Sequence, residues 1–135
     1  METINEVICR TVYNFMKDRI NEFITHEMDA WRCNENEVWD NWGYDGRNHF
    51  LSKIQHSVND ATYTFNEIMT CNMDKDYVND YIYKNNDGGC GEIYMMPDTD
   101  NKERYFYIDY SGNNMKPVEL KKVKKVIEVE TFEKV

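Results

Sequence analysis

Cys9, Cys33, Cys71 and Cys90, together with His26, His49 and His56, are the side chains of this sequence best suited to hold a metal or attack an electrophile. Structural zinc sites use closely spaced ligand pairs, because two ligands on one turn lower the cost of ordering the site. The four cysteines are scattered and form no CxxC pair. His26-Glu27 opens like the metalloprotease pattern HExxH, but Ala30 stands where the second histidine belongs. No metal and no cofactor are therefore expected. Cys90 differs from the other cysteines in its glycine-rich setting, Gly88-Gly89-Cys90-Gly91. A thiolate there with His49 or His56 as base would make a small cysteine enzyme. The same glycines serve equally as turn residues, and no GxxxxGK[ST] phosphate loop is present.

Carboxylates are the most abundant chemical groups. Asp74, Asp76 and Asp80 precede the C-terminal half, and Asp98 and Asp100 lie between two apolar runs. Neither group has the alternate acids, central glycine and distant glutamate of a calcium loop. They read as solvated loops, with Asp74, Asp76 and Asp80 as candidate contacts for a positively charged partner. Acidic side chains number 25 against 16 basic ones, for a net charge of −9. Affinity for nucleic acid rests on neutralising phosphates with Lys and Arg, so direct binding to nucleic acid is not expected. Such a field attracts basic surfaces and speeds encounter with them. The excess acid lies ahead of Lys116. The C-terminal segment, with KKVKK at 121–125, leans basic and reads as a solvated face or as an edge strand guarded against aggregation.

WDNWGYDGRNH, from Trp39 to His49, concentrates aromatic and charged side chains around two glycines. Trp and Tyr anchor protein contacts because they bring large area with little rotamer entropy, and flanking acids steer a basic partner. Trp39, Asp40, Trp42, Tyr44 and Asp45 are therefore candidate partner-binding residues. The competing expectation is that Trp39 and Trp42 plug the end of a helix pair.

Elements must position these groups. Thr3-Ile-Asn-Glu6 is a capping box, and Ile4, Ile8, Val12, Phe15, Met16, Ile20, Phe23, Ile24 and Met28 follow with helical spacing. Leu51, Ile54, Val58, Ala61, Phe65, Ile68 and Met69 repeat that spacing, so a second long helix is expected, ending near Cys71 and Asn72. Gly43 and Asp45-Gly46 make the stretch between them an interhelical corner. Tyr77–Lys84 suits either a short helix or a strand, with helix favoured. Beyond the loop 85–91, EIYMM, RYFYIDY and VIEVETFEKV are short, rich in β-branched and aromatic residues and separated by polar turns. The first two should form a hairpin, and PVELKKVKK is a further strand or a link.

The expected fold class is α+β, with two long N-terminal helices and a short third packed on a small C-terminal antiparallel sheet of three to four strands. A chain of 135 residues suits one domain, helical over about 1–84 and sheet over about 92–135. Aromatic content of 14% argues for a folded core. No apolar run approaches the roughly 18 residues of a membrane span, and scattered cysteines fit a reducing cytoplasm. Alanine occurs only at Ala30 and Ala61, against abundant Asn, Ile, Tyr and Lys. That skew points to a low-GC bacterium or its phage, and hence to the bacterial cytosol.

In size, charge and residue skew the chain resembles phage anti-defence inhibitors, including anti-CRISPR proteins, and immunity proteins that neutralise toxic nucleases. The resemblance covers no motif and carries over no residue. It implies a small acidic inhibitor that blocks a basic nucleic-acid-binding protein, by occupying its positive surface with carboxylates in place of phosphates. A cysteine enzyme built on Cys90 and a self-associating adaptor are the rivals.

Overall fold

Thr3 starts the first helix as its sequence pattern requires. Its hydroxyl accepts from the Glu6 N–H at 3.2 Å, and the Glu6 carboxylate accepts from the Thr3 N–H at 3.0 Å. The computed structural model describes residues 1–71, 75–85, 91–108, 115–124 and 130–135. It is α+β, with helices in the N-terminal part and a curled antiparallel sheet at the C-terminus. Among the described residues the α-helices are α1 (Ile4–Asp18), α2 (Ile20–Trp31), α3 (Glu35–Trp42), α4 (Arg47–Gln55) and α5 (Ala61–Cys71).

The two long helices expected from periodicity are thus both divided. The first breaks at Arg19, whose backbone leaves the helix (φ −117°, ψ 17°) while its N–H bonds the Met16 carbonyl at 3.1 Å. Arginine is a good helix former, so no local preference explains the break. Packing does: the Arg19 guanidinium stacks 4.2 Å from the Phe15 ring, and α2 is free to turn Phe23 onto Trp39, Trp42 and Phe50. The second breaks after Gln55, where a single 3-10 turn (Val58–Asp60) separates α4 from α5. Here the reason is local. Ser57, Asn59 and Asp60 have side chains that compete for backbone groups, and the Ser57 hydroxyl donates to the Ile54 carbonyl at 2.8 Å.

Tyr77–Lys84 is divided between both expectations. A 3-10 segment (Tyr77–Tyr81) runs directly into β1 (Ile82–Asn85). The remaining strands are β2 (Glu92–Pro97), β3 (Glu103–Tyr107), β4 (Val118–Lys124) and β5 (Glu130–Lys134), paired antiparallel in the order β1-β2-β3-β4-β5. The sheet therefore has five strands rather than three or four, and it begins before residue 92. The β2–β3 hairpin is as expected, and PVELKKVKK supplies β4. Residues 121–124 of KKVKK accordingly lie on an inner strand, with Lys125 outside the described residues: Lys122 pairs with Glu130 at 2.8 Å and Lys121 with Glu133 at 3.9 Å across to β5.

One face of the sheet completes the core. Tyr94 and Phe106 stack at 5.3 Å, and Phe65 of α5 meets them edge-on at 5.5 and 6.3 Å. Helix α1 is the central strut, burying Val7, Ile8, Val12, Phe15 and Met16 against α4, α5 and β2. The opposite face of the sheet curls on itself. Although β1 and β5 are its two edges, Tyr83 meets Phe132 at 5.4 Å and Tyr105 closes the triangle at 5.0 and 5.1 Å. The Tyr83 hydroxyl donates to Glu130 at 2.5 Å, bridging edge to edge. Accumulated strand twist and the irregular register between Ile82 and Lys84 bring those edges together.

Candidate functional site

Helix α3 carries both tryptophans of the aromatic stretch and begins with a second capping box. The Asn34 side chain accepts from the Glu37 N–H at 2.9 Å, and Glu37 accepts from the Asn34 N–H at 3.2 Å. Asn34-x-x-Glu37 was visible in the sequence and marks a helix start that the corner reading passed over. The corner itself is confined to residues 43–46, with Gly43 in the left-handed region (φ 80°) ending α3.

Helical geometry sends the two tryptophans to different places. Trp39 is only 2% exposed, packed against Phe50 at 5.3 Å and Phe23 at 6.1 Å. Its indole N–H donates to Glu35 at 2.9 Å, and Glu35 also receives Arg47 at 2.8 and 3.3 Å. Those bonds, Arg47 first, hold the Glu35 carboxyl below its ordinary range. Trp39 is therefore placed as the core plug, the competing expectation for this candidate partner-binding side chain.

Trp42 and Tyr44 are half-buried. They form one wall of a groove of about 510 Å³ whose floor is Phe50, Ile54 and Ile68. Tyr63, Thr64 and Glu67 of α5 make the other wall, and Lys53, Ser57 and Asp60 complete the lining. Glu67 acts on both phenols. Its hydrogen bond with Tyr63 raises that phenol's pKa, and its charge adds to the burial that raises the pKa of Tyr44. Tyr63 is 59% exposed, an aromatic ring left open to solvent at the groove's rim. Asp60, Tyr63 and Glu67 escaped the sequence reading because they lie on a different element from the aromatic stretch. Only the fold joins them.

Asp40 and Asp45 are exposed, on α3 and in the corner, but neither lines this groove, and the Asp45 N–H donates to His49 Nδ1 at 3.0 Å. Asp76 and Asp80 are exposed as well, but they sit at the start of the 3-10 segment and within it, where Asp76 lines a separate cavity of about 410 Å³ with Asn66, Thr70 and Glu92. The structure thus divides the acidic candidates between two places. Asp74 lies outside the described residues. Asp98 turns the β2–β3 hairpin: its carboxylate accepts the Asp100 and Lys102 N–H groups at 2.9 and 3.0 Å and faces Arg104 at 3.4 Å.

Cys90, on which the enzyme reading depends, also lies outside the described residues. His56 Nδ1 bonds the Ser52 carbonyl at 2.7 Å, and Cys9 Sγ donates to the Ile54 carbonyl at 3.1 Å. Burial pushes the thiols of Cys9 and Cys33 above their ordinary pKa, so neither is a ready thiolate. Among the described residues no three His, Cys, Asp or Glu side chains are placed to share a metal ion. No helix among them is long and apolar enough to cross a membrane. Comparison of the chain with protein-family models, with curated proteins and with solved structures finds no match.

Proposed function

We propose that this protein is an acidic inhibitor that docks on a basic, nucleic-acid-binding protein and blocks its positive surface, in the manner of a phage anti-defence inhibitor such as an anti-CRISPR protein. The observation that supports the reading is the corner after α3, where exposed Asp40 and Asp45 alternate along the chain with half-buried Trp42 and Tyr44, two rings that wall the groove. Aromatic area at the centre with charge at the rim is the arrangement that anchors and steers a protein contact. The net charge of −9 extends the attraction to long range.

The test is capture of partners from a low-GC bacterial lysate, with and without nuclease, followed by kinetics on the purified partner. A retained nucleic-acid-binding protein that is displaced by DNA or RNA is the expected result. Its association rate should fall about tenfold or more as salt rises from about 0.05 to about 0.5 M. Reversing Asp40 and Asp45 to Lys should slow association while leaving stability within about 0.5 kcal/mol, since both side chains are exposed. Retention of nothing, or of the protein alone, or an association rate indifferent to salt, would overturn the reading.

A further inference from the structure

The groove between the α3–α4 corner and α5 combines two features that bear on one kind of ligand. Three electron-rich rings, Trp42, Tyr44 and Tyr63, line it, and the carboxylates of Glu67 and Asp60 line it with them. Aromatic faces attract cations through their quadrupole, and the attraction grows where water is partly excluded. Glu67 hydrogen-bonds Tyr63, and its charge reaches Tyr44 across the same groove. The phenols in turn stay neutral, because Glu67 and burial both oppose their ionisation.

We infer that this groove receives an arginine side chain presented by a basic protein partner. The inference rests on the function proposed above and assigns that function a contact site. A guanidinium is planar and weakly hydrated, stacks on aromatic rings and pairs with a carboxylate through two parallel hydrogen bonds. A lysine ammonium is compact and strongly hydrated, and it loses more solvation on entering the same space. The volume of about 510 Å³ accommodates the guanidinium together with its alkyl stem, which would lie along Phe50 and Ile68. Lys53 is the one cationic side chain among the described residues of the lining. It is outnumbered by the two carboxylates, and its charge works against the arginine.

The probe is the capped tripeptide Gly-Arg-Gly, titrated into the full chain and followed by NMR at the Trp42 indole N–H and the amides of α5. The matched peptide carrying citrulline, which keeps the shape and removes the charge, is the control. The expected result is a saturable shift confined to the groove, at least about tenfold weaker with citrulline. Glu67→Gln and Tyr63→Ala should each weaken binding about fivefold, and Lys53→Gln should strengthen it. Tyr63 is exposed, so its loss should leave the thermal midpoint unchanged, and Glu67→Gln keeps the side-chain shape.

Equal shifts from arginine and citrulline, shifts mapping elsewhere, or indifference to Glu67→Gln would overturn the assignment. Its failure is separable from that of the function. A captured basic partner that binds E67Q and Y63A as tightly as the unaltered protein would remove the groove and leave the blocking activity. Groove binding of the arginine peptide with no basic partner retained would do the reverse.

Discussion

Trp39 and Trp42 stand three residues apart on one short helix and have opposite surroundings. The first is enclosed by Phe23 and Phe50, and the second opens onto the groove. Their substitutions should separate stability from binding. Trp39→Ala removes a fully desolvated ring and leaves the Glu35 carboxylate without its indole donor, and it should cost about 3–5 kcal/mol in urea unfolding. A loss below about 1 kcal/mol would mean that the ring is not packed as described. Residue identity alone made the stretch conspicuous, and the balance between core plug and contact surface stayed open until burial was known. A tryptophan's large apolar area and its polar N–H suit either place.

Among elements, the β2–β3 hairpin depends on one glycine. A Cβ added at Gly91, just before β2, would lie 2.0 Å from the Ile108 carbonyl oxygen, a backbone atom that cannot step aside. Gly91→Ala should therefore lower stability by about 1–3 kcal/mol, by displacing the strand end where Ile108 is buried against the core. Thermal unfolding of that variant checks it, and an unchanged midpoint would show that the hairpin end adapts. The hairpin itself was legible, because two apolar, aromatic runs flank Pro97-Asp98-Thr99-Asp100-Asn101. The fifth strand was not. Ile82–Asn85 is too short for a period of two to register, and Tyr81 and Ile82 fit either assignment until β2 offers its backbone.

For the molecule as a whole, charge sets two opposing trends with pH. Carboxyls held down by specific partners stabilise the folded chain while they are ionised. Glu2 bonds Arg10 and the Thr99 N–H, Asp98 bonds the turn amides and Arg104, and Glu130 bonds Lys122 and Tyr83. Their folded pKa values lie below the ordinary 4.5 of Glu and 3.8 of Asp, so their contribution is complete above those values. It is lost as pH falls through the lowered ones. Meanwhile the net charge of −9 repels itself at neutral pH, and protonation of the remaining acids relieves that repulsion. Stability should accordingly peak near about pH 5 and decline below about pH 4. Glu2→Gln should shrink the acid decline, since Glu2 ties the N-terminus to the hairpin turn through Thr99. Thermal midpoints across pH measure both effects, and a flat acid limb would show that the pairs contribute nothing.

Interactions spanning a few residues were readable in the sequence: the Thr3 cap, the helical spacing of α1, the Asp45-Gly46 corner, and the β-branched and aromatic runs of the sheet. Each is an agreement between neighbours in the chain, and together they define an α+β domain. The break at Arg19, the burial of Trp39 against the half-exposure of Trp42, and the meeting of Glu67 with Tyr44 needed the fold. So did the closure of the sheet edges through Tyr83 and Glu130. These arise between segments distant in sequence, where the free energy of burying one side chain depends on which others are already there. Propensity and periodicity carry no record of that dependence.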